Sequence, residues 1–143
     1  MRLVPVLLLG FGTALAHPAA AQGGNPDSTV APAGPAALYS ASQARRGQST
    51  YQRNCINCHT AVAYSGAVFR RVWAGKSPYD LWEQIRTSMP QDNPGRLKPG
   101  EYADIVAYLL KLNGYPAGEA ELPPDAEQLQ MLRIPPTPGP GDR

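Results

Sequence analysis

Both cysteines of the chain and one of its two histidines fall within five consecutive residues, Cys55-Ile56-Asn57-Cys58-His59. No other feature limits the fold as much. Two thiols three positions apart cannot build a multi-disulfide framework or a four-thiolate metal site. The segment also sits inside a stretch whose composition differs from its flanks. Of 16 prolines, only Pro78, Pro90, Pro94 and Pro99 lie between residues 41 and 115, while seven crowd into the last 28 positions. Nine of the eleven aromatic residues lie in that same stretch. The pattern predicts one packed body over 41–115 between a flexible leader (22–40) and a Pro-rich, acidic C-terminal extension (116–143). Chains below roughly 70–80 residues rarely bury enough apolar surface to fold without a staple. The cysteine segment is where a staple can be supplied.

Within the body the periodicity is helical. Ser40 or Ser42 can cap a first helix that runs through Gly47 and Tyr51 towards Cys55, three residues spaced by four and so on one face. Glycine in mid-helix costs about 1 kcal/mol relative to alanine, so Gly47 on a buried face implies the close approach of another backbone. Ser77-Pro78-Tyr79-Asp80 opens a second helix with a capping serine, a proline at the first position and an early acid. Its stripe is Leu81, Trp82, Ile85 and Met89, and Pro90 stops it. Asn93-Pro94-Gly95 and Lys98-Pro99-Gly100 read as turns. A third helix covers Glu101 to Leu112, closed by Asn113-Gly114. Asp125–Leu132 can form a short helix with Leu129 and Leu132 inward. No strand alternation or repeat is evident, and the body is expected to be all-α.

The amino terminus carries a different signal. Arg2 precedes a 13-residue apolar run, Leu3–Leu15, and small residues follow up to Ala19-Ala20-Ala21. This fits a secretory signal peptide over 1–21, cut after Ala21. The run is shorter than the ~18–20 residues that span a bilayer, which disfavours an uncleaved anchor. Export places the protein in an oxidising compartment, the periplasm, with no stable membrane insertion after cleavage.

Cys-x-x-Cys-His is the attachment signature of c-type haem. Positions i, i+3 and i+4 of a helical turn project to one side. Two thiols there can add across the two vinyl groups of a haem while the imidazole reaches its iron. A zinc ribbon would need a second ligand pair, and the other histidine, His17, falls in the signal region. A thioredoxin-like site would need a βαβ context, and a plain disulfide would leave His59 without a role. For the second axial position the candidates are Met89, Met131, His17 if cleavage occurs earlier, or no protein ligand. Met89 is favoured, because it stands 30 residues after His59 at a helix end, where Pro90 turns the chain outward. Met131 belongs to the C-terminal arm, where a methionine more often fills a gap.

In this arrangement the body resembles a class I c-type cytochrome. Four features carry the resemblance in order: the Gly47/Tyr51 helix leading into Cys55–His59, the Phe69–Trp73 segment, Ser88-Met89-Pro90, and the last helix with Tyr108. The resemblance implies a small cytochrome c fold, three main helices wrapped round one haem c bound by two thioethers. It implies His59 and Met89 as iron ligands and a crossing of Gly47 and Tyr51 against Ile105 and Tyr108. It also implies one-electron transfer rather than catalysis. Trp73 would either meet a haem propionate or simply wall the pocket. One departure from many relatives is the lack of proline between His59 and Pro78, where a proline carbonyl often fixes the imidazole.

The formal net charge of +2 argues against a nucleic-acid binder. It conceals a segregation: residues 41–100 carry nine basic and three acidic side chains, and residues 101–143 three basic and seven acidic. A basic face round a haem edge would steer an acidic redox partner, and the acidic extension could fold back on it. The expected partners are redox proteins, among them a quinoprotein or other periplasmic dehydrogenase and a terminal oxidase. Asn113–Gly118 resembles the segment that follows the last helix in cytochromes accompanying quinoprotein dehydrogenases. The competing functions are a peroxidase or gas or redox sensor with a labile or open sixth position, and thiol–disulfide exchange.

Overall fold

The computed structural model describes residues 37–136. The expected signal peptide, most of the leader, His17 and the last seven residues lie outside the described residues. Five α-helices follow one another: α1 (Ala41–Asn54), α2 (Ala67–Trp73), α3 (Pro78–Ser88), α4 (Pro99–Leu112) and α5 (Ala126–Met131), with a 3-10 turn at Ala61–Tyr64. Among the described residues there is no strand, only an isolated bridge between Ser40 and Gly118. The all-α expectation is met. No described helix is long and apolar enough to cross a membrane.

The three long helices are those legible in the periodicity. Ser40 is the residue that caps α1, its Oγ accepting from the Gln43 N–H at 3.0 Å. Ser77 caps α3 in the same way, accepting from Tyr79 N–H at 3.1 Å. The start of α4 departs from expectation. Pro99 and Gly100 are its first two residues rather than a turn. Proline suits the first helical position because its missing N–H would have no partner there. Glu101 supports the start, its carboxylate accepting from the Lys98 N–H at 2.9 Å. The short α2 follows Gly66, and its Phe69 and Trp73, four apart, are both buried.

Helix α4 is the centre of the core, with eight of its residues buried. It crosses α1 at Gly47, where an added Cβ would run into the backbone carbonyl of Asp104 and sit 3.0 Å from Tyr108 Cβ. One turn on, the Tyr51 and Tyr108 rings meet with centroids 5.5 Å apart. The expected crossing is present, with Asp104 rather than Ile105 at the closest point.

Residues 116–136 form a strap over this core. Leu122, Leu129 and Ile134 are fully buried. The Gln43 side chain donates to the Leu122 carbonyl at 2.9 Å and accepts from its N–H at 2.8 Å. Ser77 Oγ donates to the Leu129 carbonyl at 2.6 Å. Ile134 pairs through its backbone with Gly75 (2.8 Å) and Lys76 (2.9 Å). Buried backbone groups need such partners, and here the body supplies them from the Gln43 and Ser77 side chains and from the backbone of Gly75 and Lys76. Arg46 adds an exposed tie, reaching Asp104 at 3.0 Å and Glu121 at 2.7 Å.

Candidate functional site

Directly after α1 the chain makes one tight turn. The Cys55 N–H still bonds the Tyr51 carbonyl (2.8 Å), and the Cys55 carbonyl accepts from both Cys58 (3.1 Å) and His59 (3.0 Å). The three side chains of the motif are thereby held on one compact turn. Cys55 is half-buried and Cys58 exposed, and both are free thiols. Burial pushes the Cys55 thiol up, against a smaller opposite effect of Arg96.

Cys55, Cys58, His59 and Met89 all line one cavity of about 480 Å³. Its size is in the range of cofactor pockets. Tyr51, Tyr64, Phe69 and Trp73 contribute aromatic wall, and Leu81, Ile85, Ile105 and Leu109 aliphatic wall. Asp92 is its one carboxylate. Met89 follows the last residue of α3 in extended conformation (φ −133°, ψ 149°), as Pro90 demands of the residue before it. Met131, by contrast, is 74 % exposed on α5 and does not line the cavity.

Residues 42–109 match the family model described as cytochrome c oxidase, cbb3-type, subunit III. The segment is a c-type cytochrome domain. No curated protein and no solved structure matches the chain.

A c-type cytochrome domain is an electron-transfer haem protein domain, and it implies haem c. The residues present fit that group. Two unpaired thiols, an imidazole and a thioether border one cavity, and its other walls are mainly apolar and aromatic, with Asn54, Gln84, Ser88, Gln91 and Asp92 as polar members. This donor set suits a redox iron better than a structural zinc, which favours four thiolate or imidazole ligands.

Four residues of the cytochrome domain support the site in ways the sequence does not mark: Tyr51, Asn113, Tyr64 and Tyr102. Tyr51, read as a helix-crossing residue, also donates from its hydroxyl to the His59 carbonyl at 3.2 Å. Burial is the main reason its phenol is pushed up to about 12, so it stays a donor. Asn113, read as a helix stop, is buried and bridges to the loop after the motif. Its amide donates to the carbonyls of Tyr64 (2.9 Å) and Leu109 (2.8 Å) and accepts from the Gly66 N–H (2.9 Å). Tyr64 in turn sets its ring edge-on to His59, centroids 5.4 Å apart. Tyr102 donates to the Met89 carbonyl at 3.0 Å. Nothing in a single sequence separates such tyrosines and asparagines from ordinary core and cap residues. Trp73 walls the cavity and carries Lys76 over its ring, 5.0 Å from the centroid.

Proposed function

We propose that the protein is a periplasmic monohaem cytochrome that passes single electrons between redox proteins. It acts as a free carrier or as the cytochrome subunit of a dehydrogenase or oxidase. The observation that carries this reading is the convergence of Cys55, Cys58, His59 and Met89 on one apolar cavity within a cytochrome domain. Cys55 and Cys58 would hold the haem by thioethers, and His59 and Met89 would ligate its iron. Haem c, when bound, supplies an iron that alternates between ferric and ferrous states. The chain's own part is to exclude water with Phe69, Trp73, Ile105 and Leu109, all buried. A dry, apolar wall limits the reorganisation that accompanies a change of charge.

The surface supports a protein partner. Val68 and Val72 on α2 and Val62 and Ile56 beside the motif are exposed, next to elements that line the cavity. The ion pairs among the described residues use Arg46, Arg86 and Arg96. They leave Arg70, Arg71 and Lys76 outside them, which favours an acidic partner face and a salt-sensitive association rate. The matched family takes its name from an oxidase subunit, which supports an oxidase as that partner.

The deciding experiment is mass spectrometry of the holoprotein purified from periplasm. One haem on the peptide containing Cys55 and Cys58 is expected, with cleavage after Ala21. The ferric protein should show the weak long-wavelength charge-transfer band of methionine-ligated haem. That band should vanish in Met89→Ala and persist in Met131→Ala. A haem-free protein with a Cys55–Cys58 disulfide would refute the reading. A haem protein without the band, binding carbon monoxide rapidly when reduced, would point to a sensor or peroxidase instead.

A further inference from the structure

We infer that Tyr102 is a positioning residue for the sixth ligand, its single hydroxyl stapling both ends of the loop that carries Met89. The inference rests on Met89 being that ligand. Residues 89–97 run between α3 and α4, with one internal backbone bond, Asn93 N–H to the Pro90 carbonyl at 2.9 Å. Tyr102 donates to the carbonyl of Met89 at 3.0 Å, at the start of this loop. The same oxygen accepts from the Leu97 N–H at 3.4 Å, at its end. A hydroxyl can donate once and accept as well, so one atom closes the loop from both sides.

The staple is itself held firmly. Tyr102 is 1 % exposed. Trp82 meets its ring edge-to-face with centroids 6.4 Å apart. The Trp82 indole donates to the Pro99 carbonyl at 3.1 Å, which ties α3 to the first residue of α4. Tyr79 stacks on Trp82 with centroids 6.0 Å apart. The hydroxyl therefore cannot follow the loop if the loop moves.

The consequence concerns ligand competition. Methionine is an uncharged ligand delivered by its own chain, so its hold against a free ligand depends on its effective concentration at the site. Fixing both ends of a loop limits the conformations available once the ligand is released. Tyr102 thus raises the effective concentration of the Met89 thioether without touching it. A tyrosine that merely fills the core would contribute to stability and leave this competition unchanged.

The test is titration of the ferric holoprotein with imidazole, read by loss of the methionine charge-transfer band. In Tyr102→Phe the imidazole dissociation constant should fall about fivefold, the effect expected for one net hydrogen bond. Tyr39→Phe is the matched control. It removes a buried tyrosine-to-carbonyl bond of 2.6 Å to Tyr115, far from residues 89–97 in the chain. It should leave the constant within twofold of wild type. If wild type shows the band and Tyr102→Phe titrates like wild type, the staple is overturned while Met89 stands as ligand. Equal shifts in both variants would also overturn it, since general loosening would then suffice. A wild-type protein without the band removes the ligand reading, and the inference with it. Should Tyr102→Phe not yield folded holoprotein, hydrogen exchange on wild type decides. The Leu97 amide should exchange markedly slower than those of Gln91 and Arg96, and equal rates would overturn the staple.

Discussion

Replacing Gly47 by alanine sets two physical effects of opposite sign against each other. Gly47 lies in the interior of α1, where alanine is intrinsically better by about 1 kcal/mol. On helix propensity alone the variant should be more stable. The added methyl, however, would overlap the Asp104 carbonyl and approach Tyr108 Cβ to 3.0 Å. The obstacle is backbone of a helix buried along most of its length, so it cannot swing aside. Overpacking of this kind costs about 1–3 kcal/mol where side chains can adjust, and the upper end applies where they cannot. Separating the helices would also loosen the Tyr51–Tyr108 ring pair, worth ~0.5–1.5 kcal/mol. The net expectation is destabilisation by about 2 kcal/mol or more. At roughly 4–8 °C per kcal/mol for a domain of this size, thermal melting of the ferric holoprotein should fall by roughly 8–16 °C. Gly100→Ala is the companion variant. Its Cβ would meet only Pro124 Cβ at 4.0 Å, an ordinary contact, so it should melt at or slightly above wild type. A Gly47→Ala protein as stable as wild type would refute the backbone-contact argument.

The remaining expectations concern the strap, the motif loop and the acid limb. Ile134→Ala should cost ~2–5 kcal/mol, as for other buried aliphatic truncations, because the side chain is fully buried; equilibrium denaturation reads it, and a loss within error would mean the strap is not part of the folded core. Asn113→Ala should speed amide exchange at Gly66 and destabilise by about 1 kcal/mol, since the half-buried Gly66 N–H and Tyr64 carbonyl lose their partner. Unchanged Gly66 exchange would exclude Asn113 as the lock on that loop. Arg46 holds the Glu121 carboxyl at about 2, against an ordinary 4.5, chiefly by hydrogen bonding. A folded-state value below the unfolded one means the contribution is complete above the ordinary value. It is then lost as pH falls from about 4.5 through about 2. Arg46→Gln should flatten that part of the pH–stability profile, modestly because the pair is exposed and salt weakens it. An identical acid profile in the two proteins would show that Glu121 contributes nothing.

How much was legible in the sequence differed with the kind of interaction. The helices were legible because stripes, capping serines and Pro78 act within a few residues of one another. Gly47 was legible because a glycine in a buried helical stripe costs stability unless a neighbouring backbone needs the space. That Cys55, Cys58, His59 and Met89 share a cavity was legible because three of them sit in a fixed motif and Met89 precedes a proline at a helix end. Tyr102 and Asn113 escaped because their bonds to Met89 and Tyr64 join positions 13 and 49 apart. A tyrosine in a helical stripe and an asparagine before glycine already have sufficient local reasons. The strap is hard to see in the sequence for a similar reason. Three apolar residues spread over Leu122, Leu129 and Ile134 show no period, and their burial depends on Gln43, Ser77 and Lys76 supplying backbone partners. The small α2 has no side-chain cap and only seven residues, too few for a periodic signal.

Tyr102, Ile105, Leu109 and Asn113 follow one another along α4 and its cap at intervals of three, four and four. Eleven residues make three turns plus about 20°, so the first and last of them face the same way, about 16 Å apart. Tyr102 grips the Met89 loop, Ile105 and Leu109 wall the cavity, and Asn113 grips the loop whose Tyr64 lies against His59. The helix is therefore a ruler on which the two halves of the site are marked off. A single residue inserted or deleted between 102 and 113 would turn one grip by about 100° relative to the other. Substitutions within this stretch can be absorbed by repacking, but a change in its length cannot.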